Sequence, residues 1–537
     1  MKSFARNSWF FCILVILVLS ISSIPYFYSY AMRNRIAHSE SSYSWIIPPY
    51  PEDGLGYCAW IKQAQLGALL FKVKYTALPQ VPAVFNPFFL ITGKLSDFGN
   101  LQPGFSLFII RLICCIAFLC ILWWFLNLFA LSNEQRWTSM LLICFSSGFG
   151  TIAPLSVKSA DLWLVDINTL WSLSWNALFV CSLGLVLLAL GLIKKASDSS
   201  DTKANGACYV IAGLVTGALA FIHPYDVVLL LGAICIYVIL SKRNWISSKV
   251  WYFALFGFPP AILQFLLSAI NPIIHAHEQS IMKSPSLVPL ISGLGLPFIF
   301  ALVGIVKMFR FRNMLQSHRM LLIWLAVSFI GAYLPFWFQR KILFGIHLPV
   351  CILGAIGLDW ILKIFTKKTN LPYKLAIALI LCITTATHFQ VFTMLRQSLR
   401  SDPLAYFIPE DYQKAYAYLE KNSSPDDLVL AHYATSRIIP GMSGNTVVFG
   451  HWAQSVDRKE RMHWVRNLFN PMNAGNNSDG ESIRQLRLSN ISYIFIDPFM
   501  VKDWFRDTIP QWLYKCGRIV YRSEYITIIK MKRNGEK

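Results

Sequence analysis

Long apolar runs, separated by short basic connectors or by long polar segments, set the pattern of this chain. Runs at 9–30, 105–131, 137–157, 172–193, 207–222, 225–241, 250–270, 288–306, 320–338, 342–362 and 375–395 approach the ~20 residues that a helix needs to cross a bilayer. They predict about eleven spanning helices, with the tightest hairpin at 207–241. The first run follows Lys2 and Arg6, and Ser29-Tyr30-Ala31 resembles a cleavage site. It is longer than a signal-peptide core of about 7–15 residues, which predicts a retained signal-anchor.

The chain after about 396 has a different rhythm. Glu410 to Lys421 has helical spacing, with Tyr412, Ala415, Tyr416 and Leu419 on one stripe. Asp427 to Tyr433 reads as a buried strand, Asp479 to Leu488 as a short charged helix and Ile491 to Ile496 as a second strand. Arg518 to Tyr521 and Tyr525 to Met531 read as a terminal hairpin. Strands alternating with helices predict a small sheet with covering helices. The expected organisation is a membrane domain over 1–395, with a first outer loop at 31–104, and an α/β domain over 396–537.

Composition agrees with the membrane reading. Hydrophobic residues make up 55% of the 537, charged residues only 14%, and the mean hydropathy is +0.50; a soluble chain carries about a quarter charged residues. The formal net charge of +21 suggests nucleic acid until its placement is seen. Much of the Lys and Arg sits between apolar runs, as in cytoplasmic loops, and no nucleic-acid-binding module is recognisable. Ten of the twelve cysteines lie in apolar stretches; only Cys58 and Cys516 lie in polar ones, and nothing requires them to pair.

An inside N-terminus puts Arg136, Lys194, Lys195, Lys242, Arg243, Lys249, Lys307 to Arg319, Lys363, Lys367, Lys368 and Lys374 on the cytoplasmic face. With eleven spans, the C-terminal domain is then extracytoplasmic and the protein a multi-pass inner-membrane protein. The outer side receives 31–104, 158–171, the His223 to Asp226 turn, 271–287, Gln339 to Lys341 and everything after 396. No internal repeat of the transporter kind is visible.

Several polar groups on that side could carry chemistry. Glu52 and Asp53 precede a glycine turn and an amphipathic segment; a carboxylate there could take a proton from an attacking hydroxyl, or the pair could be a solvated turn. Asp161 and Asp166 lie among Trp163, Trp171 and Trp175, suited to sugar hydroxyls or a metal, or to an interfacial loop. His223 and Asp226 cap a tight turn at membrane depth. His275, His277 and Glu278 are ligand-type residues without further zinc spacing. Arg340 and Lys341 break the charge rule, and Arg forks onto phosphate oxygens while Lys adds a point charge. His347 could share their cavity; lipid headgroups are the plainer target.

Taken together, these features resemble the GT-C membrane glycosyltransferases, which use lipid-phosphate-linked sugars. The resemblance rests on Glu52-Asp53 in a long first outer loop with a Pro/Asn-rich continuation, the many-span body and the outer C-terminal domain. The stretches Tyr416 to Glu420, Val429 to Ala431, Gly450-His451-Trp452 and Ile491 to Ile494 also look like the tails of bacterial members. The resemblance implies a polyprenyl-phosphate-linked sugar donor and a lipid or glycan acceptor. Asp53, or Glu52, would act as base with inversion, Arg340 and Lys341 would hold the phosphate, and His451 and Trp452 would shape the acceptor side. It implies no nucleotide site; some members use a divalent cation. A WWD-type motif is absent, which makes protein N-glycosylation the lesser expectation. A lipid-linked-saccharide carrier and a glycan polymer ligase are the competing classes.

Overall fold

A bilayer core offers no water to backbone amides, so apolar runs of this length close their own hydrogen bonds as helices. The computed structural model describes residues 2–37, 40–199, 202–241, 249–271, 273, 282–369, 372–469, 478–505 and 507–532. The His275, His277 and Glu278 cluster lies outside the described residues. By their contacts the chain divides into two units. One is drawn from residues 1–25, 109–266 and 278–395, the other from 26–108, 267–277 and 396–537.

Among the described residues ten helices are long and apolar enough to cross a membrane. They meet every predicted run except one. The run at 137–157 forms a helix only over Asn133–Phe145, 13 residues or about 20 Å, shorter than a hydrocarbon core of about 30 Å. The chain nevertheless traverses the first unit. Near its start, Gln135 donates to Asp359 at 2.9 Å and Lys194 lies 5.0 Å from the Phe129 ring centre. Beyond its end, Asp166 meets Lys341, which precedes the helix His347–Thr369 that runs back to Asp359.

Non-helical chain at such depth survives only where protein satisfies it. Here Ser147 N donates to Thr384 O at 2.7 Å and Phe149 N to Ser292 O at 2.8 Å. The buried Asp161 carboxylate accepts from Ser147 Oγ at 3.1 Å, Gly150 N at 3.2 Å and Ser159 Oγ. Helices Leu287–Arg310 and His347–Thr369 pack backbone to backbone through glycines. A Cβ on Gly304 would fall 2.2 Å from Leu353 O, and one on Gly357 2.0 Å from Phe300 O.

In the second unit a five-stranded sheet runs in the order β4-β3-β5-β7-β6. The strands are β3 (Leu428–Ala431), β4 (Thr446–Val447), β5 (Tyr493–Ile496), β6 (Gly517–Arg522) and β7 (Thr527–Met531). The first three are mutually parallel, and β7 pairs antiparallel with both β5 and β6. The predicted helix appears as Glu410–Asn422, burying Tyr412, Ala415, Tyr416 and Leu419. Residues 31–104 fold with this sheet rather than as a loose loop. β1 (Ser42–Tyr43) pairs antiparallel with β2 (Phe407–Ile408), Lys62 meets Glu420 at 2.6 Å, and Lys72 meets Asp426 at 2.9 Å. Cys58 and Cys516 are both buried thiols and form no disulfide.

Candidate functional site

Pro51 opens the helix Pro51–Gln65, and Pro at this position forfeits no helical bond. Glu52 and Asp53 therefore lie inside its first turn, not ahead of it, where the helix dipole favours negative charge. Asp53 is exposed. Glu52 is half-buried, its Oε1 3.4 Å from Arg437 Nη1. Arg437 follows β3 by a short turn, and its buried side chain also bonds Asp402 and donates from Nε to Ala434 O at 3.2 Å. Burial works against the Arg437 cation, but Asp402 and Glu52 more than offset it.

This cluster gathers at the carboxyl ends of parallel strands, the edge where open α/β sheets place ligands. His432 follows β3 directly and Asp497 follows β5. His432 Nδ1 accepts from Ala434 N and its Nε2 lies 3.2 Å from Asp503. Asp497 accepts from Thr435, Tyr412 and Met500 N, and burial raises its carboxyl above the ordinary range. Tyr75 shares its hydroxyl between the carbonyls of Leu55 and Arg437, 3.1 Å each, tying the acidic helix to the Arg437 loop. The Tyr75 ring lies 5.3 Å from that of His451, which is buried and accepts at Nδ1 from Ala453 N and Gln454 N. Trp452 is exposed and stacks on His451. Tyr433 sits close enough to Glu52 to feel its charge and receives Arg458 Nη1 at 3.4 Å.

The first unit holds a separate constellation. Lys341, on the short 3₁₀ turn Gln339–Leu343, lies 3.2 Å from Asp166 and 4.8 Å from the Phe179 ring centre. Burial raises the Asp166 carboxyl, but the charges of Lys341, Arg340 and His223 outweigh it and hold the group below the ordinary range. Arg340 Nε is buried with no hydrogen-bond partner among the described residues. His223 is buried against Phe179 and Phe344, 2.8 Å from Asp226, which also accepts from Ser182. The structure thus brings Arg340, Lys341, Asp166 and His223 together. His347 has both ring nitrogens engaged, by Thr169 Oγ1 at 2.9 Å and Ser146 Oγ at 3.2 Å. Asp161 is occupied by the non-helical stretch described above.

Reading the sequence missed Arg437, Asp402, Tyr433 and Arg458. The one available signal was Arg437 itself, a lone cation in an otherwise uncharged stretch from 428 to 456. Among the described residues no three His, Cys, Asp or Glu side chains gather as a metal-binding set.

No family model and no curated protein sequence matches the chain. Solved structures do. ArnT from Cupriavidus metallidurans bound to undecaprenyl phosphate superposes with a TM-score of 0.53 at 11% identity, over 96% of this chain and 97% of that one. The oligosaccharyltransferase AglB from Archaeoglobus fulgidus, in complex with an inhibitory peptide and a dolichol-phosphate, gives 0.52 at 12% identity, over 98% of this chain and 75% of that one. Likeness at this identity is likeness of fold: the chain has the polytopic GT-C membrane fold.

Proposed function

We propose that this protein transfers a sugar from a polyprenyl-phosphate carrier to an acceptor hydroxyl at the extracytoplasmic membrane face. The observation that carries the reading is the acidic turn of a GT-C fold, with Glu52 held by Arg437 and Asp53 exposed beside it. The base is Asp53, exposed on the same helical turn, with Glu52 as the alternative. As the acceptor oxygen bonds to the anomeric carbon, its proton passes to Asp53. The carbon–oxygen bond to the carrier breaks on the opposite side, giving inversion, and its electron pair leaves on the phosphate. For carrier phosphate the first unit by itself offers Arg340, whose Nε has no hydrogen-bond partner among the described residues, with Lys341 adding positive charge. His451 and Trp452 shape the acceptor side. The basic connectors favour a cytoplasmic N-terminus. Counting the 137–157 run as an eleventh crossing makes the count odd and puts the sheet-containing region outside.

The test is transfer of a radiolabelled sugar from a polyprenyl-phosphate donor by the purified protein in liposomes. Asp53→Asn should lower the rate by about 10²–10⁴-fold while thermal unfolding stays unchanged. Wild-type rates in a folded variant would remove Asp53 from the base role.

A further inference from the structure

The second unit contains a groove of about 410 Å³ away from the Glu52–Arg437 pair, inside the range of about 300–1,000 Å³ typical of ligand sites. One wall is the start of the helix Arg458–Phe469. Asp457, Glu460, Arg461 and Trp464 all line the groove; Asp457 immediately precedes the helix with a φ of 51°, while Glu460, Arg461 and Trp464, at i, i+1 and i+4, share one side of it. Leu428 and Val448 from the sheet contribute apolar surface. Asp457 and Glu460 are exposed, while Arg461 and Trp464 are half-buried.

The chemistry of this lining is selective. Carboxylates accept from hydroxyls, and a guanidinium donates to ring or hydroxyl oxygens. An indole offers a flat apolar face to the C–H side of a sugar ring. An anionic ligand would meet two carboxylates, and a purely apolar one would leave three charged groups without water. The helix also ties the groove to the acidic turn: Arg458, in its first turn, contacts Tyr433 beside Glu52.

We propose that this groove is a saccharide-binding subsite that holds a neutral glycan, with Trp464 as stacking platform and Asp457, Glu460 and Arg461 as hydroxyl partners. Its role as an acceptor subsite rests on the glycosyl-transfer reading; its binding of saccharide does not.

The experiment is saturation-transfer NMR and tryptophan-fluorescence titration of the full-length protein in nanodiscs, with cellotetraose, chitotetraose and mannotetraose as probes. At least one probe should bind saturably. Trp464→Ala should weaken that binding by about tenfold or more, Glu460→Gln should weaken it severalfold, and Trp464→Phe should largely preserve it. Trp464 also packs on the domain core, so Glu460→Gln and Trp464→Phe keep the test meaningful if the alanine variant unfolds. Three results overturn the proposal: no saturable binding of any probe, binding indifferent to Glu460→Gln in folded protein, or Trp464-dependent binding of an arginine-rich peptide with none of the sugars. Asp53→Asn should bind the saccharide like wild type, so loss of transfer and loss of binding report on separate claims.

Discussion

Arg437 Nη1 lies 3.4 Å from Glu52 Oε1, joining residues 385 positions apart through a guanidinium that also bonds Asp402. One buried cation thus holds the acidic turn of the helix Pro51–Gln65 against the end of a parallel strand. Carboxylates fixed this way need no rearrangement when a substrate arrives.

Arg437→Met should expose what that bridge contributes. Removing one partner of a buried ionic cluster leaves the others uncompensated, a loss of about 3 kcal/mol. Arg437→Lys keeps the charge but not the fork, and should fall between. Denaturant unfolding in detergent reads stability, and the transfer assay should show both variants impaired in the same order.

Asp166 makes stability depend on acidity. Its folded carboxyl lies below the ordinary 3.8 because Lys341 and Arg340 outweigh burial. The folded state therefore binds this proton more weakly than the unfolded one. The stabilisation is present above about pH 3.8 and is lost as pH falls through the folded value. Asp166→Asn should be less stable than wild type at pH 6, and the gap should narrow progressively below pH 4. A gap that stays constant down to pH 3 would contradict the assignment.

Asp161→Ala should destabilise the first unit more than an ordinary surface change. It strips acceptors from Ser147, Ser159 and Gly150 N, and buried donors left unmade cost about 1–3 kcal/mol each. A lowered unfolding temperature with faster proteolysis near 146–168 is the expected signature.

Gly357→Ala places a Cβ 2.0 Å from Phe300 O, and backbone cannot yield as a flexible side chain can. Overpacking of this kind costs about 1–3 kcal/mol. Thermal melting followed by size-exclusion chromatography should show the loss, whereas Gly67→Ala, with open space around it but a φ of +94°, should cost only its local backbone strain.

What the sequence determined by itself is what local pattern can carry. Apolar length specifies a spanning helix because each such helix satisfies its own backbone, and ten of eleven runs behaved so. The stripe of Tyr412, Ala415, Tyr416 and Leu419 likewise specified the helix Glu410–Asn422, through its amphipathic period. The exception, 137–157, broke after Phe145 because Thr384, Ser292 and Asp161 supply the hydrogen bonds its helix would have kept. None of those partners is visible in the run itself. The helix Arg458–Phe469 escaped notice because only Val465, Leu468 and Phe469 of its residues are buried amid dense charge. The candidate site divides likewise. Glu52, Asp53, Arg340 and Lys341 stood out as charges in unusual places. Tertiary structure alone paired Lys341 with Asp166 and Glu52 with Arg437, because an ion pair depends on distance in space and leaves no periodic trace along the chain.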